Sequence, residues 1–97
     1  MTFYTYNCIQ SLAETCDKYD TQLRIIYTPT EPVLSKHFLF HDLTKKDTAN
    51  EYGFLGRLQK IYYFKKENRW QIFFDNINYD DVLDPTKKIF IYENVKR

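Results

Sequence analysis

The sequence predicts a small α+β domain spanning residues 1–97, with an N-terminal helix packed on a twisted antiparallel sheet of about four to five strands. Three observations lead to this fold class. An apolar stripe with helical spacing lies near the N-terminus, short β-rich runs follow it, and two of those runs are separated by a tight turn. Closure of the strands into a small SH3-like or OB-like barrel is the alternative.

Residues 5–19 form the predicted helix. Its apolar positions share one face at helical period, and they are Cys8, Ile9, Leu12, Ala13, Cys16 and Tyr19. Thr5 is the predicted N-cap, because its hydroxyl can accept a hydrogen bond from a free backbone N–H of the first turn. A first strand is expected at 22–28, where the run is rich in β-favouring residues, and two prolines then make 29–33 a loop.

The segment that follows this loop is ambiguous. Residues 34–43 alternate as a strand would, but they also fit a helix that begins near Pro32. The short aromatic run within the segment favours the strand. Residues 44–56 are the longest polar stretch and contain both glycines, so we expect a mobile loop there that is suited to binding.

The strongest local signal is a β-hairpin. Residues 57–65 and 69–75 are β-rich, and the turn between them ends in Asn68, which tolerates a left-handed conformation. Aromatic side chains fall on both faces of the two runs. The hairpin is therefore expected to be central in the sheet or covered on both sides.

The last part of the chain combines an acidic connection with a final strand. Residues 75–84 carry four aspartates, with a short helical turn expected at 79–83 before a proline. Residues 87–93 are the last predicted strand, because aliphatic and aromatic residues alternate there. An unpaired edge at 87–93 would allow pairing with a second copy of the chain, so a homodimer is one expected partner state.

Charge and hydropathy narrow the function classes. Lys and Arg number 14 against 13 Asp and Glu, and the net charge of +1 gives no general attraction to nucleic acid or anionic membranes. The apolar runs are far too short for a membrane span, and the N-terminus lacks the basic start and apolar core of a signal peptide. We therefore expect a cytoplasmic protein with free thiols, located in the host-cell cytoplasm if a phage encodes it.

Aromatic residues make up 19% of the chain, more than one small core is expected to bury. Surplus tyrosine at the surface is typical of binding surfaces, because it provides contact area at low entropic cost. The favoured residues, among them Lys, Asn, Ile, Tyr and Phe, have AT-rich codons. This usage points to an AT-rich phage, a plasmid or a low-GC microbe, and part of the excess reflects codon bias rather than function.

Spacing argues against metal and disulfide chemistry. His37 and His41 would share one face of a helix, but on the favoured strand they lie about 13 Å apart. Cys8 and Cys16 are separated by about 12 Å of helical rise, which is too far for a disulfide. We therefore expect no metal site and no cofactor.

Signatures of catalysis are also missing from the sequence. Gly53 and Gly56 match neither a dinucleotide-binding nor a phosphate-binding loop, and the GxSxG motif is absent. The acidic run at 75–81 lacks the glycine and the final glutamate of a calcium loop. The sequence therefore predicts that the protein is not an enzyme.

The remaining features favour a small protein-binding accessory or inhibitor protein. We expect it to block a host protein, such as a defence or replication nuclease. Small size, clustered charge and surplus aromatic residues motivate this hypothesis. The predicted contact residues lie in the polar stretch and the acidic connection, and they are Tyr52, Phe54, Tyr79, Asp80, Asp81 and Asp84.

Binding of single-stranded DNA or RNA is the alternative. Basic residues are interleaved with aromatic residues on the predicted hairpin, an arrangement in which bases stack on rings while cations neutralise phosphates. The candidates are Lys60, Tyr62, Tyr63, Lys65, Lys66 and Arg69. This alternative requires exposed rings, with the basic residues on one face.

Overall fold

The computed structural model describes residues 6–34 and 49–94, and most of the ambiguous 34–43 segment lies outside those ranges. The elements are α1 (Asn7–Lys18), β1 (Gln22–Tyr27), β2 (Ala49–Phe54), β3 (Arg57–Phe64), β4 (Arg69–Phe73), α2 (Tyr79–Leu83) and β5 (Phe90–Asn94). The five strands form one open sheet, and α1 packs on one of its faces. The predicted α+β fold class is confirmed, and the barrel alternative is wrong.

The strand order is β2-β3-β4-β1-β5, which makes the sheet mixed rather than wholly antiparallel. β1 runs parallel to β4, with Leu23 opposite Trp70 and Ile25 opposite Ile72. The other neighbouring strands are antiparallel. β1 does not pair with β2, the next described strand in the sequence. It lies between β4 and β5, which come much later in the chain, and it runs in the same direction as β4. Local patterns in a sequence mark strands but do not specify their neighbours.

The stripe predicted for the first helix is confirmed. α1 buries Ile9, Leu12, Ala13 and Cys16. They pack against side chains on one face of the central strands, which are Leu23, Ile25, Tyr27, Ile61, Tyr63, Trp70 and Ile72. Each large aliphatic side chain that is fully buried stabilises the fold by about 1.5–3 kcal/mol. The N-cap residue is Tyr6, which forms no side-chain cap, and the predicted cap Thr5 lies outside the described residues.

The opposite face of the sheet carries a second, smaller core. Ile26 of β1 and Phe73 of β4 are buried there, together with Ile77 from the segment after β4. Val82 of α2 and Ile89, just before β5, pack against these residues. The chain between β4 and β5 therefore covers part of the face that α1 leaves open. As expected for the hairpin, β4 lies in the middle of the sheet and is buried on both faces.

The prediction of a loop at 44–56 is wrong in its second half, and residues 44–48 lie outside the described residues. Residues 49–54 form the edge strand β2, which pairs antiparallel with β3 and places Glu51 opposite Lys60. Polar residues suit such a strand, because an edge strand keeps one side and part of a face in water. The sequence pattern predicts a loop here because this strand lacks the apolar alternation of a half-buried strand.

Residues with positive φ form the tight turns. Leu55 and Gly56 have φ of 53° and 74° and join β2 to β3, as a two-residue type I′ turn requires. Asn68 has φ of 52°, and its N–H donates to the carbonyl of Lys65 at 3.2 Å. The predicted hairpin is therefore confirmed as β3 and β4, and the predicted helical turn at 79–83 is confirmed as α2.

Candidate functional site

Exposed hydrophobic side chains indicate where this domain can contact another molecule. Clusters of large apolar side chains in water mark interaction sites more often than isolated ones do. Within residues 6–34 and 49–94, the exposed examples are Tyr19, Leu55, Phe64, Tyr79, Leu83, Phe90 and Ile91. Four of these seven lie in α2 and β5. The C-terminal part of the described chain is therefore richest in exposed apolar surface.

The short helix α2 is fixed by a capping box. The Asn78 side chain accepts a hydrogen bond from the Asp81 N–H at 3.1 Å, and the Asp81 carboxylate accepts one from the Asn78 N–H at 2.8 Å. Lys87 Nζ also donates to Asp81. These bonds lower the pKa of Asp81 below its usual range, and the bond from Lys87 has the largest effect. Asp81 therefore ties the start of α2 to the segment that precedes β5.

Two large side chains stand exposed one turn apart on α2. Tyr79 is 54% exposed and Leu83 is 81% exposed, and four residues of helix place them on the same side. The Tyr79 ring packs edge-to-face on Phe73, with ring centroids 4.8 Å apart, so the sheet fixes its position. Asp80 is exposed and adds a negative charge beside them. Tyr79, Asp80 and Leu83 are called the α2 ridge below.

Two predicted contact residues have local structural roles. Asp81 caps α2, and Asp84 accepts hydrogen bonds from the backbone N–H and the hydroxyl of Thr86 at 2.9 and 2.7 Å. These bonds from Thr86 lower the pKa of Asp84. Of the predicted residues in the acidic connection, Tyr79 and Asp80 are thus the ones that face water. Sequence reasoning missed Leu83, because an exposed leucine in one helical turn has no local signal.

The two contact residues predicted in the polar stretch lie elsewhere. Tyr52 is partly buried against the main core on the α1 face, and Phe54 is half-buried at the end of β2. Tyr79, in contrast, packs against Phe73 on the opposite face of the sheet. The structure therefore does not bring Tyr52 together with the α2 ridge. Leu55, which follows Phe54, is 79% exposed at the tip of its turn.

The two tyrosines proposed to stack on bases point to opposite faces of the sheet. Tyr63 is only 7% exposed on the α1 face, and its hydroxyl donates to Asn68 Oδ1 at 2.7 Å. Tyr62 is half-buried on the other face, where it packs edge-to-face on Phe73. Burial of Tyr63 removes one of the two rings from contact with a nucleotide.

The basic residues of the same hairpin lie on one face of the sheet and in the adjoining turn. Lys60 is two residues from Tyr62 on the same strand and so shares its face. Lys65 and Lys66 are exposed in the turn between β3 and β4, and Arg69 is half-buried at the start of β4. Arg69 lies opposite Phe64, which is 38% exposed, so both residues share the face of Lys60 and Tyr62.

A groove of about 550 Å³ lies where the parallel strands β1 and β4 end. Its lining includes Asp75 and Asp81, and each of these carboxylates is bound to a cation. Arg57 donates to Asp75 through Nε and Nη2, and Lys87 donates to Asp81. Lys88 also lines the groove. Because both carboxylates are neutralised, the groove does not offer a free carboxylate pair for acid–base chemistry.

The cysteines show no sign of activation. Cys8 is partly buried and donates from Sγ to the carbonyl of Pro32 at 3.2 Å. Burial, with a smaller contribution from Glu31, raises the pKa of Cys8 to about 11. Cys16 is buried in the core. A raised pKa suppresses the reactive thiolate, so Cys8 lacks the property of a nucleophilic or redox cysteine.

Comparison with known proteins gives no relative. No family model matches the chain, and no curated protein or solved structure is detectably similar to it. In the described part of the chain, no helix is long and apolar enough to cross a membrane, and no group of three or more side chains could hold a metal ion. His37 and His41 lie outside the described residues. The α2 ridge is therefore the feature from which a function is inferred.

Proposed function

We propose that this protein is a non-enzymatic accessory or inhibitor protein that binds another protein through the α2 ridge. The exposure of Leu83 carries the proposal, because this leucine is 81% exposed on a helix whose position is fixed. Burial of such a side chain in a partner would contribute about 1.5–3 kcal/mol. The ridge is held by the capping box and by Phe73, so little conformational entropy is lost on binding.

The chemistry of the ridge indicates the kind of partner. Tyr79 and Leu83 provide an apolar anchor, and Asp80 provides a negative charge beside it. The complementary surface is an apolar pocket with basic residues at its rim. A nucleic-acid enzyme has basic residues near its cleft, so a host defence or replication nuclease in the cytoplasm is the partner class we favour. An AT-rich phage, plasmid or low-GC microbe is the proposed setting.

Affinity capture from a host lysate tests this proposal. The wild-type chain should retain a protein in stoichiometric amount, whereas Leu83→Ser should lose most of it. Leu55→Ser is the matched control, because Leu55 is equally exposed but lies in the β2–β3 turn. It should retain the same protein as the wild type. Capture of nucleic acid alone, or equal losses in both variants, would contradict the proposal.

Single-stranded nucleic-acid binding is the second candidate. It is favoured by Lys60 beside Tyr62 on one face and by the exposed Lys65 and Lys66 in the adjacent turn. Affinity for an oligonucleotide should then fall steeply with salt, because each neutralised phosphate releases counterions. Lys66→Ala should reduce the slope of that salt dependence. Absence of oligonucleotide binding at low salt would remove this candidate and leave the protein-binding proposal intact.

A further inference from the structure

The strand β5 forms one edge of the sheet, and no other described strand pairs with its outer side. In the described part of the chain, β1 is its only neighbour. Sheet edges present backbone N–H and C=O groups that pair readily with another strand, and proteins usually block them with lysine, proline or a bulge. Phe90–Asn94 contains neither lysine nor proline, and its pairing with β1 is continuous. This edge is therefore suited to pairing.

Apolar side chains extend to this edge on both faces of the sheet. Phe90 lies opposite Tyr27, and their rings pack edge-to-face with centroids 5.5 Å apart. On the other face, Ile91 lies opposite the buried Ile26. Phe90 and Ile91 are each 45% exposed. Each core therefore ends at β5 with a half-covered side chain, and an added strand would cover both of these side chains.

We propose that β5 pairs antiparallel with β5 of a second copy of this chain, about a twofold axis at Phe90. The two sheets then join into one continuous sheet. This interface is separate from the binding of a partner protein at the α2 ridge and does not depend on it.

Symmetry restricts how two identical edges can pair. Antiparallel pairing requires a twofold axis perpendicular to the sheet, and such an axis keeps the α1 helices of both copies on the same side. Residues opposite each other in the new ladder must therefore belong to the same face. Only registers centred on a residue satisfy this condition. Around the exposed part of β5, these centres are Phe90, Ile91 and Tyr92.

In the register centred on Phe90, apolar side chains lie opposite apolar side chains. The two Phe90 rings face each other, and Ile89 faces Ile91 of the second copy. The same register leaves Glu93 beyond the paired residues, because Lys87 of the second copy lies in a bend where its N–H donates to the carbonyl of Asp84 at 3.2 Å.

In the other two registers, a charged side chain lies opposite an apolar one. The register centred on Ile91 places Glu93 opposite Ile89, and the register centred on Tyr92 places Glu93 opposite Ile91. Each sets a carboxylate against an aliphatic side chain within the new ladder. Such a pair lacks the stabilisation that a matched cross-strand pair provides. It also removes the carboxylate partly from water, which is unfavourable. The register centred on Phe90 is favoured for this reason.

Sedimentation of the full chain tests the interface. The wild type should be dimeric and dissociate on dilution over about a hundredfold range of concentration. Ile91→Lys introduces a charge into the edge strand and should give a monomer with an unchanged circular dichroism spectrum. Leu83→Lys adds the same charge to an exposed site outside the edge and should remain dimeric. A monomeric wild type, or dissociation of both variants alike, would overturn the proposal.

Cysteine cross-linking tests the register in a Cys8→Ser background, where Cys16 stays buried. In the proposed register, the side chains at position 90 face each other within about 5 Å, which is compatible with a disulfide. The side chains at position 93 lie about 20 Å apart. Phe90→Cys should therefore form a covalent dimer on mild oxidation, and Glu93→Cys should not. Cross-linking of Glu93→Cys in place of Phe90→Cys would overturn the register.

Discussion

Arg57 and Asp75 form a bidentate ion pair that closes the open end of the β3–β4 hairpin. Nη2 of Arg57 lies 2.7 Å from Oδ2 of Asp75, and Nε donates to the other carboxylate oxygen. The hydroxyl of Thr28 lies 3.4 Å from the same carboxylate and links the pair to the end of β1. Both charged side chains are mostly buried, at 23% and 15% exposure. The pair therefore joins three strand ends beside the groove.

Asp75→Asn should lower the free energy of unfolding by about 1–3 kcal/mol. Asparagine keeps the shape of the side chain and tolerates the positive φ of 59° at this position, so the change isolates the charge. Arg57 would then lose its counter-ion in a mostly buried position. Urea denaturation measures the effect. Asp80→Asn removes an exposed charge and should change stability by less than about 0.5 kcal/mol. Equal effects of the two variants would contradict a structural role for the pair.

The hydrogen bond from Lys87 should dominate the titration of Asp81. Because it lowers the pKa of Asp81, ionised Asp81 stabilises α2 above the pKa of an unfolded-state aspartate. This contribution is lost as the pH falls through the lower folded-state pKa. Lys87→Met should raise the pKa of Asp81 toward its ordinary value, as followed by NMR of the carboxyl carbon. Lys88→Met is the matched control and should leave it unchanged. An equal shift in the two variants would show that the general field of the lysines, rather than the contact, sets this pKa.

Elements that depend on nearby residues were predictable from the sequence. The apolar stripe located α1, and Asn68 located the turn of the β3–β4 hairpin. The parallel pairing of Leu23 with Trp70 was not predictable from the sequence. It joins distant segments of the chain, and no local pattern specifies which strands become neighbours. β2 was missed for a different reason. As a polar edge strand, it is stabilised by pairing with β3 and lacks a distinctive periodicity of its own.

Local sequence patterns also predicted only part of the candidate site. Composition predicted that aromatic and acidic residues after β4 would face water, and the structure places Tyr79 and Asp80 there. The exposure of Leu83 follows from the neighbouring Val82, which turns inward to the smaller core and thereby directs Leu83 outward. Tyr63 is buried because α1 covers its face of the sheet. Neither outcome is visible before the faces of the sheet are assigned.

Cys8 should react slowly with alkylating agents near neutral pH. Burial and Glu31 raise its pKa to about 11, which leaves about a hundredfold less thiolate at pH 8 than in an ordinary cysteine. The rate of modification by iodoacetamide should rise about tenfold per pH unit up to roughly pH 10. Mass spectrometry of the intact chain follows the reaction, and Glu31→Gln should accelerate it. A rate that levels off between pH 8 and 9 would contradict the raised pKa.

Leu55 occupies a backbone conformation that leucine disfavours. Its φ of 53° belongs to the left-handed region, where residues with a side chain other than Asn or Asp lose about 1–2 kcal/mol. Its side chain is 79% exposed, so packing does not offset this loss. Asparagine followed by glycine is the preferred pair for a type I′ turn, and Gly56 is already present. Leu55→Asn should therefore raise the free energy of unfolding by about 0.5–1 kcal/mol.

Gly56→Ala is the matched variant in the same turn and should have the opposite effect. Gly56 has φ of 74°, and a Cβ there meets no other atom within 4 Å, so backbone strain is the only expected penalty. Alanine should lower the free energy of unfolding by about 1 kcal/mol. Thermal or urea denaturation of the two variants beside the wild type measures both changes. Destabilisation by Leu55→Asn would mean that the leucine makes a stabilising contact that outweighs the strain of its left-handed conformation.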